Sequence, residues 1–487
     1  MTILDYPIII LLIIVGIFWL YFIAKDSKDR KLNFRRHYKN IKYNGRINKS
    51  LLLLFAGNPA LVIISTFFIL GFIGTLLLMT PFATHDGINF SDAVFTAVSA
   101  SCVTGLITLD TPAAFTGYGQ FFILLLIQLG GLGIMTIGTV ALAIVGYRFS
   151  LKEEVLLKTL TETGHKDILS SLSLVLKTTI VTESIGAIIL SSLFYDSGLE
   201  FKDAIWHGLF TSVSAFCNAG FSLQQESLIS FQSNPGVLYT VATLIVLGGF
   251  APATTFIIPK FISGKKIELI HWLPLVTTFV LIIACALIIL IFEWDKAFEY
   301  LSLGDKFHNA LFQSVTLRTA GFNSVDFSKL SNITYLTMLF AMFVGGSPGG
   351  TAGGIKTTTL AVLFLTFWAN ITGRSDVIVQ NRRIGYETIY KAVTIVVAGL
   401  ILIFFGVFIL EVTQDISIKT IVFEVISAIA TVGLSIGGTL QLDSLGKFIV
   451  AFIMFSGRIG PLTLFMLLNN NTQSSRTNHL EAKVLLS

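Results

Sequence analysis

The stretch Ser314-Val315-Thr316-Leu317-Arg318-Thr319-Ala320-Gly321-Phe322 decides how this chain is read. Three relatives of it occur elsewhere: Ser99-Ala100-Ser101-Cys102-Val103-Thr104-Gly105-Leu106, Ser214-Ala215-Phe216-Cys217-Asn218-Ala219-Gly220-Phe221 and Ser427-Ala428-Ile429-Ala430-Thr431-Val432-Gly433-Leu434. In each, an apolar run compatible with a helix ends in a small or hydroxylated residue and then glycine. Gly105, Gly220, Gly321 and Gly433 lie 115, 101 and 112 residues apart. Such spacing marks an internal repeat, and four half-membrane helices that each stop at glycine describe a pore with fourfold pseudo-symmetry.

Composition bounds the reading. Of 487 residues, 54% are hydrophobic and 13% charged, about half the charged share of a soluble domain, which indicates a membrane protein. The net charge of +5 is no nucleic-acid signal, because ten Lys and Arg fall between Lys25 and Lys49, against only Asp26 and Asp29. Cys102, Cys217 and Cys285 sit in apolar surroundings with no metal or disulfide spacing. Cys102 and Cys217 precede their glycines by three positions and read as small packing residues.

Tyr6 to Ala24 is an apolar run able to cross a hydrocarbon core of ~30 Å. It lacks the basic lead and small-residue cleavage site of a signal peptide. The basic cluster that follows places residues 25–57 in the cytoplasm and the N-terminus outside. A unit then repeats four times, over residues 58–147, 168–260, 270–369 and 388–470. Each has an outer span, a half-length helix, a glycine loop and a second span. Outer spans are expected at Pro59–Met79, Ser171–Leu193, Trp272–Phe292 and Tyr390–Leu410, and second spans at Phe121–Val145, Val237–Ile258, Leu336–Trp368 and Phe448–Leu468. Loops beside the glycines carry little net positive charge, whereas the opposite side holds Arg148, Lys260, Lys265, Lys266, Arg374, Arg382 and Arg383. The glycine loops therefore face outward, and the tail 471–487 lies in the cytoplasm.

Segments such as Phe95–Val103 and Ile205–Asn218 would rise only about 15–20 Å as helices. Asp92, Asp203, Asp305 and Asp415 suit their N-termini. Backbone exposed at membrane depth must line water or be buried in protein, and glycine lets the main chain approach an axis. The candidate filter is Val103-Thr104-Gly105, Asn218-Ala219-Gly220, Thr319-Ala320-Gly321 and Thr431-Val432-Gly433, whose carbonyl oxygens would replace the water shell of an alkali cation. Arg318, the one cation near these loops, reads as a tether for its own loop.

The second spans carry Gly130-Gly131, Gly248-Gly249, Gly345-Gly346 and Ser456-Gly457. In the third repeat the pair opens an insertion, Gly345-Gly346-Ser347-Pro348-Gly349-Gly350-Thr351-Ala352-Gly353-Gly354-Ile355-Lys356, which breaks one span into two short pieces. It fails the phosphate-loop pattern because Ile355 separates Gly354 from Lys356. Arg458 interrupts an apolar run at a cost of about 2.5–3.5 kcal/mol on insertion scales. It is expected below the filter, bonded to the insertion and adding an electrostatic barrier to cations.

These residues resemble the TrkH/KtrB superfamily of potassium-uptake proteins, and within it the KtrB branch. The matching stretches are Ser101–Leu106, Gln128–Gly133, Thr316–Asn323 and Gly345–Thr359. The resemblance implies an all-α polytopic fold of four such repeats around one pore, selectivity for K⁺ at the four glycines, and a gate formed by the insertion with Arg458. It also implies a homodimer on a cytosolic ring of nucleotide-binding, RCK-like regulatory subunits, with Glu481–Ser487 similar to the family tail at the dimer contact. Tyr6–Ala24 is an additional leading span that the KtrB core lacks. The expectation is thus potassium uptake across the plasma membrane. No cofactor is expected in this chain; Na⁺ would serve as an activating or coupling ion. A less selective K⁺/Na⁺ pathway is the alternative; Gly105 opposes it, since members of that kind carry Ser there. An intramembrane hydrolase is disfavoured by the lack of an H-E-x-x-H pair or a nucleophile elbow.

Overall fold

In lipid, a long apolar run satisfies its backbone polar groups by closing into an α-helix, and the chain does so repeatedly. The computed structural model describes residues 59–144, 168–327 and 330–460. The leading span Tyr6–Ala24, the basic segment 25–57 and the tail 471–487 lie outside the described residues.

The first stretch holds α1 (Pro59–Leu78), α2 (Phe90–Ser101), the single turn α3 (Thr111–Ala114) and α4 (Gly117–Ile144). Next come α5 (Ile168–Asp196), α6 (Phe201–Phe216), α7 (Pro235–Gly249) and α8 (Pro252–Ile262). They are followed by α9 (Leu269–Glu293), α10 (Leu303–Thr316), α11 (Asn332–Phe343) and α12 (Thr357–Ile371). A hairpin of β1 (Ile378–Val379) and β2 (Arg382–Arg383), turned by Gln380 and Asn381 at positive φ, leads to α13 (Tyr386–Thr413), α14 (Ile418–Ile429) and α15 (Ser444–Ile459). α5, α9 and α13 are each long and apolar enough to cross a membrane. They keep apolar side chains on the outside, among them Ile188, Phe279 and Phe404, as lipid contact requires.

The short helices α2, α6, α10 and α14 have 12, 16, 14 and 12 residues. Asp92, Asp203 and Asp305 lie in first turns, where a carboxylate complements the helix dipole. Asp415 does not. Ser417 is the N-cap of α14, its hydroxyl accepting from the Thr420 N–H, so Asp415 falls before the helix.

A second correction concerns Val237–Ile258, expected as one continuous span. α7 and α8 are bent by 115° across Phe250-Ala251. Pro252 lacks an N–H to continue the ladder, and its ring disfavours helical backbone at Ala251, which is extended at φ −61°, ψ 141°. The freed carbonyls of Gly248 and Gly249 accept from the Thr351 and Ser347 N–H groups, both at 3.0 Å. The third-repeat break, by contrast, falls where the insertion placed it, between α11 and α12.

The buried apolar clusters join helices distant in sequence. Ile123 and Ile127 pack with Phe210 and Phe216; Leu190 and Val241 with Phe312 and Phe322. Ile289 and Met338 pack with Phe423 and Val432, and Phe95 and Leu106 with Val425 and Val450. The last cluster joins α14 and α15 to α2, so the packing closes on itself.

Candidate functional site

Each short helix stops at a residue of left-handed backbone two positions before its glycine. Val103, Asn218, Thr319 and Thr431 have φ of 56°, 59°, 64° and 51°, a conformation that costs free energy for β-branched residues and persists only where surroundings impose it. In three loops the cause is a Schellman closure. The N–H groups of Thr104, Ala219 and Val432 donate back to the Ser99, Ser214 and Ser427 carbonyls at 2.7–2.8 Å, and those of Val103, Asn218 and Thr431 to Ala100, Ala215 and Ala428 at 3.1 Å.

Serine hydroxyls then fasten the chain beyond the turn. Ser99 and Ser214 Oγ donate to the carbonyls of Leu106 and Phe221 at 2.7 and 2.8 Å, while Ser99 and Ser427 Oγ accept from the Gly105 and Gly433 N–H groups. The third loop is built differently, because Val315 stands where the others have serine. Thr316 Oγ1 takes over, donating to the Phe322 carbonyl at 2.6 Å, and the Ala320 N–H reaches Thr316 instead.

The four glycines meet. A Cβ built on Gly321 would lie 2.6 Å from the Val432 carbonyl oxygen, and one on Gly220 would lie 2.9 Å from that of Ala320. On Gly105 it would overlap the Ala219 oxygen, and on Gly433 the Thr104 oxygen. The contacts run 105 to 220 to 321 to 433 and back to 105. All four glycines have positive φ, between 72° and 91°, so both space and backbone exclude a side chain. Among the described residues, no carbonyl of 103–105, 218–220, 319–321 or 431–433 accepts a hydrogen bond. A ring of unengaged carbonyl dipoles can solvate a dehydrated cation.

The glycine pairs of the second spans serve close packing. A Cβ on Gly130, Gly248 or Gly457 would overlap the carbonyl oxygen of Ser101, Phe216 or Ile429, in each case four residues before the ring glycine of its own repeat. Gly345 meets Gly353 instead, and a Cβ on Gly346 would lie 2.6 Å from the Gly249 oxygen.

The insertion Gly345–Lys356 lies against the N-terminal ends of these loops. Gly345, Gly346, Ser347, Thr351, Ala352 and Gly353 are buried, and Pro348, Gly349 and Gly350 half-buried. Gly349 and Gly354 turn the chain at φ 78° and 61°. Its ends are tied by Gly345 N–H to the Ile355 carbonyl at 2.9 Å and by Lys356 Nζ to Ala352 at 2.6 Å. Thr351 Oγ1 donates to the Phe216 carbonyl at 3.1 Å, and the Gly353 N–H to Thr319 Oγ1 at 3.2 Å. A Cβ on Gly353 would overlap Thr431 Oγ1.

Two arginines hold this assembly. Arg458, 3% exposed, donates from Nη1 to the Thr351 carbonyl at 2.5 Å and from Nη2 to that of Gly130 at 2.7 Å. Arg318 reaches Thr278 on α9 at 3.2 Å and Gly345 at 3.4 Å, so it ties its loop to the insertion as well as to the outer span. Among the described residues neither arginine nor Lys356 makes an ion pair; their hydrogen bonds go to backbone carbonyls, and the Arg458 guanidinium also lies over the Phe67 ring.

Sequence reading missed one set of contacts, the braces from each short helix to the limb beyond its glycine. Thr108 Oγ1 donates to Asp92 at 2.6 Å, and Gln224 Nε2 lies 3.0 Å from His207 Nδ1. Gln313 Nε2 donates to Ser324 Oγ at 3.2 Å, and Glu424 accepts from Ser435 Oγ, Thr439 Oγ1 and the Ile436 and Gly438 N–H groups. A polar residue within each short helix, with a polar partner two to four positions past the glycine, was the available signal. Among the described residues, no group of three or more His, Cys, Asp or Glu side chains could hold a metal ion.

Comparison with known proteins gives three concordant results. The family model described as TrkH, a cation transport protein, matches residues 48–479. The chain is 36% identical over 420 residues to Ktr system potassium uptake protein B of Bacillus subtilis, covering 86% of this chain and 94% of that one. It is 35% identical over 439 residues to the potassium/sodium uptake protein NtpJ of Enterococcus hirae, covering 88% and 97%. Among solved structures, the potassium transporter TrkH from Vibrio parahaemolyticus superposes with a TM-score of 0.65 at 19% identity, over 89% of this chain and 88% of that one.

Proposed function

The chain belongs to the TrkH family of cation transport proteins, and from that premise we propose that it is a potassium-uptake protein of the plasma membrane. In this reading, four repeats of outer span, short helix, glycine loop and second span surround one pore with fourfold pseudo-symmetry. K⁺ sheds water at the carbonyl oxygens of 103–105, 218–220, 319–321 and 431–433. The observation that carries the proposal is the closed circuit of contacts through Gly105, Gly220, Gly321 and Gly433, with those oxygens left unengaged.

The insertion Gly345–Gly354 acts as the gate. It is seated on Phe216, Thr319 and Thr431, directly inside the loops, and pinned by Arg458. The positive charges of Arg458 and Lys356, which form no ion pair among the described residues, raise the energy of a cation there, so passage requires the insertion to move. The names of the Ktr-system relatives support control by a separate regulatory subunit. A homodimer seated on a cytosolic nucleotide-binding ring, with the N-terminus outside and the C-terminus inside, completes the proposal.

The name of NtpJ supports a second reading, a pathway shared by K⁺ and Na⁺ or influenced by Na⁺. Reversal potentials of the protein reconstituted in liposomes under opposed K⁺ and Na⁺ gradients decide between them. A potential near the K⁺ equilibrium value supports selective potassium uptake; one midway supports the shared pathway; no cation current overturns both.

A further inference from the structure

We propose that the hairpin β1–β2 and the start of α13 bind the headgroup of an anionic membrane phospholipid, whose acyl chains lie along the outer faces of α12 and α13. The hairpin stands at the end of the molecule away from the limbs of the glycine loops. At its base the Ile384 N–H donates to the Val377 carbonyl at 2.9 Å, and Ile384 packs on the cluster of Leu273, Ala361 and Ala392 near the start of α9. The other end of α9, at Glu293, accepts from Ser331 beyond the third glycine loop.

Arg374, Arg382, Arg383 and Lys391 gather here, all exposed. Arg383 is held in place. It donates from Nε to Asp376 at 2.8 Å, and its guanidinium lies 5.0 Å from the centre of the Tyr386 ring. The Tyr386 hydroxyl in turn donates to the Ser375 carbonyl at 3.3 Å, beside Arg374. Among the described residues the two Nη groups of Arg383 make no hydrogen bond, and Arg374, Arg382 and Lys391 make no ion pair. A planar fork already oriented by its neighbours suits a phosphodiester, which it can grip through two bonds at once. Against Asp376 and Glu387, the four cations leave two positive charges unbalanced.

Basic loops of membrane proteins set orientation without binding anything in particular. What singles out this patch is the surface that continues from it. Phe364, Phe367, Trp368 and Ile371 on α12 are exposed, as are Tyr390 and Val393 on α13, and the two helices pack side by side. Trp and Tyr are the side chains that settle at headgroup level. Ile378 is exposed as well and stands opposite Arg383 in the hairpin register, so cation and apolar side chain share one side of the strand pair. A charged head joined to hydrocarbon matches that sequence of surfaces; a water-soluble partner would leave the apolar part uncovered.

The test is thermal unfolding of the full-length protein, delipidated in detergent and titrated with dioleoyl phosphatidylglycerol or dioleoyl phosphatidylcholine. The expected result is a saturable rise in Tm about 2–4 °C larger with phosphatidylglycerol, and a smaller difference in high salt. Arg374→Gln combined with Arg382→Gln should remove at least half of that difference. Lys265→Gln combined with Lys266→Gln, an equal loss of charge in the loop between α8 and α9, should leave most of it. All four side chains are exposed and without an ion pair among the described residues, so neither double variant removes a contact that holds the fold. Equal stabilisation by the two lipids overturns the proposal and leaves the patch to a soluble protein. Equal losses in the two double variants overturn it in favour of diffuse charge attraction. An equal rise with glycerol phosphate alone also overturns it, because the acyl chains would then play no part.

Discussion

Arg458 donates through Nη1 to the Thr351 carbonyl at 2.5 Å across 107 residues of sequence. Its second amino group donates to the carbonyl of Gly130, on α4, at 2.7 Å. One side chain of α15 thus links the middle of the insertion to α4, with Nε left over. Net hydrogen bonds of this kind contribute about 1 kcal/mol each, and somewhat more when one partner is charged. Arg458→Ala should therefore raise cation flux through the protein without its regulator, about tenfold or more, and Arg458→Lys should do so less. Rubidium uptake into proteoliposomes measures this; flux equal to or below that of the unmodified protein removes Arg458 from the gate.

Gly353→Ala tests the seat of the insertion from the other side. The added methyl would overlap Thr431 Oγ1 and lie 2.6 Å from the Ala430 carbonyl oxygen, so the insertion has to lift. Unregulated flux should rise several-fold, while the ratio of K⁺ to Na⁺ uptake stays unchanged because no ring residue is altered. A changed ion ratio with unchanged leak would contradict the assignment of this segment.

Gly105→Ser acts on the ring itself. Its Cβ would overlap the Ala219 oxygen at a backbone φ of +90°, so the first and second loops must separate. Preference for K⁺ over Na⁺ should fall about tenfold, equivalent to 1.4 kcal/mol, as read by paired rubidium and sodium uptake. Preserved preference would place discrimination elsewhere.

Lys447 on α15 and Asp92 on α2 pair at 2.7 Å, with Asp92 buried and also accepting from Thr108. Removing the cation strands a buried carboxylate, which costs more than the pair itself contributes. Lys447→Met should lower the unfolding temperature in detergent, for a loss of about 1–3 kcal/mol. Adding Asp92→Asn should restore part of that loss. If the double variant is less stable than Lys447→Met alone, the pair is not what holds α15 to α2.

Much of this arrangement could be read from the chain because the glycine loops obey a local rule. A half-length apolar helix closed by a left-handed residue and glycine leaves its mark within nine residues, and the interruption at Gly345–Lys356 announces itself by composition. Part of what escaped was set by partners distant in sequence, and part by a choice between neighbouring residues. The elbow between α7 and α8 was signalled by Pro252, but the surrounding apolar run read as continuous. The carbonyls of Gly248 and Gly249 have meaning only once Ser347 and Thr351 reach them. Asp415 looked like Asp92, Asp203 and Asp305, yet Ser417 was the better cap and displaced it. The Arg318 side chain was legible as a tether, though its hold on Gly345 was not.

The elbow at Phe250-Ala251 has a mechanical consequence. Ser347 is bonded on both sides of it, donating its N–H to Gly249 and accepting from the Ala251 N–H at 3.3 Å. α8 swings 115° away from α7, like the arm of a crank whose pivot is clasped by the insertion. In the proposed gating, a displacement of α8 would therefore reach the insertion through Ser347, by contacts that include none of the four ring glycines.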